Sequence, residues 1–281
     1  EQWAIFADGG SMTVIDLIEH GLEDVRYLEY LPSALPYHLL ERPTVLLLGT
    51  AGTGELLLGL LHEAESVRAV EFNPQMIDLL QDPRNGKVTE LLGERAIEFE
   101  VADPRSHLHD RQNFYRLIQI PLSGSLGAAA SGSRAFGASH LFTVEGVAAA
   151  LTRLAPDGLL VMTQWLRLPP RENLRLFATA VAALRSHGVS EPGESIAQLR
   201  GWGTVTTLVT NGTISPTDLE KIAAFCAERS FDLTHVPGMS ADAANRFNIL
   251  DRPYLFLGNR RILQDAERFF DSYKFDVRPT T

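Results

Sequence analysis

The sequence predicts an α/β fold, a parallel β-sheet covered by helices, and two observations carry the prediction. Val45-Leu46-Leu47-Leu48 is an unbroken apolar run, bounded by Pro43 before and Gly49 after. That is the pattern of a strand buried on both faces at the centre of a parallel sheet. Apolar strand-like segments then alternate with helical patterns along the chain, as they do in βαβ units.

Taken in order, Trp3-Ala4-Ile5-Phe6-Ala7, the turn signal Asp8-Gly9-Gly10-Ser11 and Met12-Thr13-Val14-Ile15 read as a small β-hairpin. Pro32 and Pro36 break the chain before Tyr37-His38-Leu39-Leu40. Residues 1–40 are therefore read as an N-terminal β-hairpin region and residues 41–281 as the sheet-bearing domain. Strands are expected at 45–48, 67–71, 97–101, 115–120 and 159–163, with helices at 55–63, 75–81, 87–95, 143–154 and 171–186. Pro74, after Asn73, suits the first turn of the second of these helices. Residues 202–210 have strand composition. Ser215-Pro216-Thr217-Asp218 opens a further helix, with a serine cap, a proline in the first turn and an acid near the positive end of the helix dipole. Residues 231–236 form a last strand, and the remainder reads as helical with an interruption at Pro253.

The chain has 281 residues, enough for a substantial core, and 35 acids against 25 bases give a net charge of -10. A surface of that sign repels phosphate backbones, so no nucleic acid is expected as partner. Cys226 is the single cysteine. It excludes an intrachain disulfide and a cysteine-based metal cluster, and it fits a reducing, cytoplasmic setting. No run of eighteen apolar residues appears, so no bilayer-spanning segment is expected here. The chain begins at Glu1 rather than Met, which is read as a trimmed fragment, with any membrane segment lying outside it.

The chemistry is expected after the first buried strand. Gly49-Thr50-Ala51-Gly52-Thr53-Gly54 leads into the leucine-rich segment 55–62, so backbone N–H groups gather at a helix N-terminus, where a nucleotide or a cofactor carboxylate can approach. Glu71 ends the next strand about twenty positions on, where nucleoside-binding sheets place an acid for the ribose hydroxyls. The bland alternative is a structural glycine turn beside a solvated acid. Residues 123–139 are almost all small and follow a strand at the ligand-binding edge; they read as a lid or as a connector. His107 and His109 lack a third placed ligand and are read as surface residues, so no metal is expected. Tyr27 and Glu29 could hold an amine, or could be a packed tyrosine beside an exposed acid. Ser123 and Ser125 have no recognisable His–acid partner.

Several stretches together resemble the spermidine synthase (polyamine aminopropyltransferase) family. Asp8-Gly9-Gly10 is similar to its Leu-Asp-Gly hairpin, Tyr27-Leu28-Glu29 to its Tyr-Gln-Glu, and Val45 to Gly54 to its strand and glycine turn. Glu71-Phe72-Asn73-Pro74 is similar to Glu-Ile-Asp-Pro, and Val101-Ala102-Asp103-Pro104-Arg105 to the Gly-Asp-Ala/Gly motif. Leu141-Phe142-Thr143-Val144-Glu145 is similar to Leu-Phe-Ser-x-Glu, and Leu154 to Thr163 to the Leu-Lys-Pro-Gly-Gly strand start. Order and spacing match over nearly the entire chain, most closely to a divergent branch often fused to membrane segments.

The resemblance implies a Rossmann-like, methyltransferase-type sheet binding S-adenosylmethionine or decarboxylated S-adenosylmethionine. Gly49, Thr50, Gly52 and Gly54 would line the cofactor's amino-acid portion and sugar. Glu71 would take the ribose hydroxyls, and Asp103, with Pro104, the adenine. Tyr27 and Glu29 would face a small-molecule amine or other nucleophile, and a homodimer is an expected assembly. The departure lies at the chemistry. The family's Tyr-Asp-x-Ile-Ile-x-Asp-Ser-Ser-Asp corresponds to Tyr115 to Gly124, so its catalytic acids fall on Pro121 and Gly124, neither of which handles a proton. The glutamine of Tyr-Gln-Glu is Leu28. The resemblance therefore assigns no catalytic residue. It leaves three readings: an aminopropyltransferase-like protein, a methyltransferase using the same sulfonium, and a non-catalytic nucleoside-sensing domain of a membrane protein.

Overall fold

The computed structural model describes residues 1–7, 11–94, 97–110, 113–122 and 140–281. An antiparallel pair, β1 (Gln2–Ala7) and β2 (Ser11–Asp16), is followed by the 3₁₀ helix Leu22–Tyr30 and the short helix α1 (Leu35–Leu39). The main sheet then begins with β3 (Thr44–Leu48), α2 (Gly54–Leu61), β4 (Ser66–Glu71), α3 (Pro74–Leu80), α4 (Lys87–Glu94) and β5 (Ile97–Val101). It continues through α5 (Pro104–Asp110), β6 (Tyr115–Ile120), α6 (Val144–Thr152), β7 (Leu154–Trp165) and α7 (Glu172–Ser186). The chain closes with β8 (Ile196–Arg200), β9 (Thr204–Thr210), α8 (Pro216–Arg229), β10 (Asp232–His235) and α9 (Tyr254–Ser272).

The eight strands lie in the order β10-β8-β9-β7-β6-β3-β4-β5. The five from β5 to β7 are parallel, β9 runs against β7, and β8 and β10 continue the antiparallel edge. The chain leaves β3 first for β4 on one side and later for β6 on the other. Open α/β sheets bind ligands at such a reversal, outside the carboxyl ends of the strands.

Alternation along the strands builds two cores. Val45 and Leu47 face one, closed by α2, α3, α4 and α8; Leu46 and Leu48 face the other, closed by α6, α7 and α9. Local chemistry fixes the helix starts. The Asn73 side chain accepts from the Gln75 N–H with Pro74 following, and the Ser215 hydroxyl accepts from the Asp218 N–H before the turns of α8.

The sequence expectations for 97–101 and 115–120 match β5 and β6, and the helix starts differ by a residue or so. Four elements were not anticipated. Leu22–Tyr30 forms a 3₁₀ helix, Leu35–Leu39 and Pro104–Asp110 are α-helical, and Ile196–Arg200 is a fully buried strand whose polar Gln198 and Arg200 disguise it. Instead of a helix throughout, residues 236–253 are mostly irregular. Asp232 holds them: its carboxylate accepts the N–H groups of Arg246, Phe247 and Asn248 and pairs with Arg200 at 3.0 Å.

Candidate functional site

The glycine turn sits at the carboxyl end of β3. Gly49 (φ +95°) donates its N–H to the Val70 carbonyl, which ties the turn to β4. Gly52 (φ +107°) has a different partner. A Cβ there would lie 2.1 Å from the Val14 carbonyl oxygen, because β2 bridges to this residue and the Thr53 N–H donates to Val14. This glycine admits the hairpin backbone. Gly54 then opens α2.

Glu71 ends β4 and turns back to the glycine turn. One carboxylate oxygen accepts from the Thr50 N–H (3.0 Å) and the Thr50 hydroxyl (2.9 Å), and the other from the Asn73 N–H (2.9 Å). A carboxylate offers about four acceptor positions, so most are in use by the chain itself. Beside it Phe72 is 70% exposed, and at the end of β5 Val101 is 56% exposed. These apolar surfaces were missed in the sequence; the signal was an apolar residue next to each strand end. The Ala102 N–H donates to the Glu71 carbonyl, which brings Asp103 to the same rim. Asp103 accepts from the Ser106 N–H at 2.8 Å and so caps α5, with Pro104 buried in its first turn.

Beneath the turn lie two acids that sequence reasoning passed over. Asp16 is 2% exposed; it accepts from the Thr53 hydroxyl (2.6 Å), Gln2 (2.8 Å) and the Tyr27 hydroxyl. Burial, reinforced by Asp16, raises the Tyr27 phenol well above its ordinary value. Glu55, in the first turn of α2, is pushed up to about 7 by burial, against hydrogen bonds from Ser33 and Gln119 that favour the charged form. Gln119 Nε2 lies 3.3 Å from Glu55, and its carbonyl accepts from the buried Tyr37 hydroxyl at 2.8 Å. The signal was present in retrospect: a glutamine inside an otherwise apolar strand needs a polar partner.

The predicted residues therefore divide. The structure gathers Gly49, Thr50, Gly52, Gly54, Glu71, Asp103 and Pro104 at one rim of the sheet. It does not bring Tyr27 and Glu29 together. Tyr27 turns to Asp16, whereas Glu29 lies between His38 and His62, and His62 is the carboxyl-terminal cap of α2, about 12 Å along the helix from the glycine turn. Pro121 follows β6 at the chain reversal and is buried. Gly124, Ser123, Ser125 and the rest of 123–139 fall outside the described residues. His107 corrects the surface reading: its side chain is 1% exposed and its Nδ1 lies 3.3 Å from Glu100, because it points inward from the unanticipated α5, while His109 is exposed. A cavity of about 350 Å³ lined by Leu39, Leu208 and Ile222 lies at the opposite, amino-terminal end of β7.

Comparison with solved structures places the fold. A probable spermidine synthase from Corynebacterium glutamicum superposes with a TM-score of 0.53 at 14% identity, over 81% of this chain and 78% of that one. The fold is Rossmann-like, of the methyltransferase type. A spermidine synthase from Thermotoga maritima follows at TM-score 0.49 and 17% identity (79% and 77% of the chains). Human methyltransferase-like protein 13, solved with SAH, follows at 0.45 and 15% (72% and 87%). No family model and no curated protein matches the chain. Among the described residues no helix is long and apolar enough to cross a membrane.

Proposed function

We propose that this chain binds a nucleoside sulfonium, S-adenosylmethionine or its decarboxylated form, across the carboxyl ends of β3, β4 and β5 and transfers a group from it. One observation carries the reading: a strand-end carboxylate, Glu71, is held against the glycine turn with an exposed phenyl ring beside it. A ribose diol would take the free acceptor position of Glu71 and the one released when the Thr50 hydroxyl rotates away. Phe72 and Val101 would cover the faces of the base, with Asp103 accepting from its exocyclic amino group.

Pro121 bears on which group would be transferred. Aminopropyl transfer requires a carboxylate to take the proton of the attacking amine, and a proline stands where the related enzymes are expected to carry that acid. Methyl transfer draws mainly on placement and on the leaving sulfonium, so the proline favours it as the second reading.

Thermal shift with S-adenosylmethionine, its decarboxylated form and methylthioadenosine tests the site. A ligand at a hundred times its Kd stabilises by about 2.7 kcal/mol. A rise in Tm with any of the three supports the reading, and no rise with all three removes it. Product analysis then separates the chemistries. Methylthioadenosine formed with a polyamine panel marks aminopropyl transfer, and adenosylhomocysteine marks methylation. Binding with neither product marks a sensor.

A further inference from the structure

Away from the nucleoside rim, three side chains from separate elements converge. Glu29 comes from the 3₁₀ helix, His38 from α1 and His62 from the end of α2. His38 Nε2 lies 2.9 Å from one oxygen of the Glu29 carboxylate and His62 Nε2 lies 2.7 Å from the other, and all the donor atoms fall within 4.8 Å of one another. The three side chains are each about one-fifth to one-third exposed, so an ion and a completing water could reach them.

An ion-pair cluster explains this geometry incompletely. The His62 Nε2 is shielded from solvent and meets Glu29 at 2.7 Å without the alignment of a good hydrogen bond. A buried imidazole nitrogen left in that state is uncommon, and one whose lone pair meets a metal is satisfied. The rings are also held. His62 stacks on Tyr37 with centroids 5.1 Å apart, and His38 packs on Phe225 at 4.9 Å. Arg229 donates to the main-chain carbonyl of Glu29 at 2.7 Å rather than to its carboxylate. Each oxygen of that carboxylate faces one of the two histidines.

We propose that Glu29, His38 and His62 form a binding site for one divalent transition-metal ion of the Zn²⁺ class, which ties the 3₁₀ helix and α1 to the carboxyl end of α2. Two imidazoles and a carboxylate suit Zn²⁺ and its neighbours and do not suit Mg²⁺, which prefers oxygen ligands and keeps its waters. With bonds of about 2.1 Å, tetrahedral ligand atoms stand about 3.4 Å apart, so the present separations need only small side-chain rotations. The earlier expectation of no metal rested on His107 and His109, and this cluster has no sequence spacing that would announce it.

The test uses the full chain, stripped with chelator and titrated with Zn²⁺ by calorimetry, and with Co²⁺ followed by its visible absorption. One equivalent bound, a rise in Tm with Zn²⁺ and none with Mg²⁺, and a low-coordinate Co²⁺ spectrum are expected. His62→Ala and Glu29→Gln should each weaken Zn²⁺ binding about a hundredfold or more, since even residues behind the ligands account for 10–100-fold. His20→Ala, at an exposed histidine just ahead of the 3₁₀ helix, should leave it unchanged. Glu29→Gln keeps the shape of the side chain and serves if His62→Ala fails to fold. No stoichiometric Zn²⁺ binding, or equal binding by the Glu29→Gln variant, overturns the proposal. Neither result depends on whether the chain binds a nucleoside.

Discussion

Glu55 gives the sharpest test of how the glycine-turn end of the molecule is built. Its carboxyl is buried beside Tyr37, Ser33 and Gln119 at the first turn of α2, and burial lifts it from an ordinary 4.5 to about 7. Below pH 4.5 the folded and unfolded chains both carry the proton. Between 4.5 and 7 the folded chain keeps it and the unfolded chain has released it, so the unfolded state binds fewer protons and stability falls as pH rises. Above pH 7 the loss is complete, and the size of the shift makes it up to about 3 kcal/mol. Glu55→Gln removes the ionisable group and keeps the shape. Urea unfolding of both proteins from pH 4.5 to pH 8.5 should show the variant gaining on the parent by about 3 kcal/mol across that window. Any fixed difference in hydrogen bonding cancels when the two curves are subtracted. A flat difference, or one that moves toward the parent as pH rises, would show that Glu55 is not the buried, reluctantly ionised group described here.

The other perturbations act on separate joints. Gly52→Ala sets a methyl group against the Val14 carbonyl in a backbone conformation that disfavours alanine, and should destabilise by about 3 kcal/mol or more by denaturant titration; a change under about 0.5 kcal/mol would mean that the hairpin does not dock there. Glu71→Gln should weaken binding of methylthioadenosine about a hundredfold in calorimetry, from two charge-assisted hydrogen bonds of about 1.5 kcal/mol each, whereas unchanged affinity would place the ribose elsewhere. Asp232→Ala strands the buried Arg200 guanidinium and three backbone N–H groups, and should cost about 3–5 kcal/mol with early proteolysis between residues 236 and 253; a silent variant would refute the anchoring role of this acid.

These residues also show what a sequence discloses and what it withholds. The parallel half of the sheet was legible because both faces of its central strand, β3, are apolar: Val45 and Leu47 fill one core, Leu46 and Leu48 the other. The rim was legible for the same reason, since a glycine turn after a buried strand and an acid at the end of the next are fixed by their place in the chain. The antiparallel edge was less so. Gln198 in β8 is buried among Thr207, Thr234 and Asn259, and partners drawn from distant segments make a polar residue acceptable in a strand without marking it locally.

The same limit governs the glycines and the histidines. Gly52 reads as a cofactor glycine from its position, yet the atom that forbids a side chain there belongs to Val14, which approaches only because the hairpin folds over the turn. Glu29, His38 and His62 share no motif and meet because α2 is long enough to carry His62 away from the glycine turn to where α1 and the 3₁₀ helix pack. A residue whose role is set by its own strand or helix could be assigned from the chain alone. One whose role is set by a second element arriving in space could not, and in this protein the hairpin region supplies that second element both at the turn and at the histidine pair. Removing residues 1–16 should therefore expose Gly52 and Thr53 and loosen the 3₁₀ helix. Amide exchange across Leu22–Tyr30 and 50–55 should quicken together, while protection of β3 and β4 holds. Quickening confined to one of the two segments would show that the hairpin does not link them.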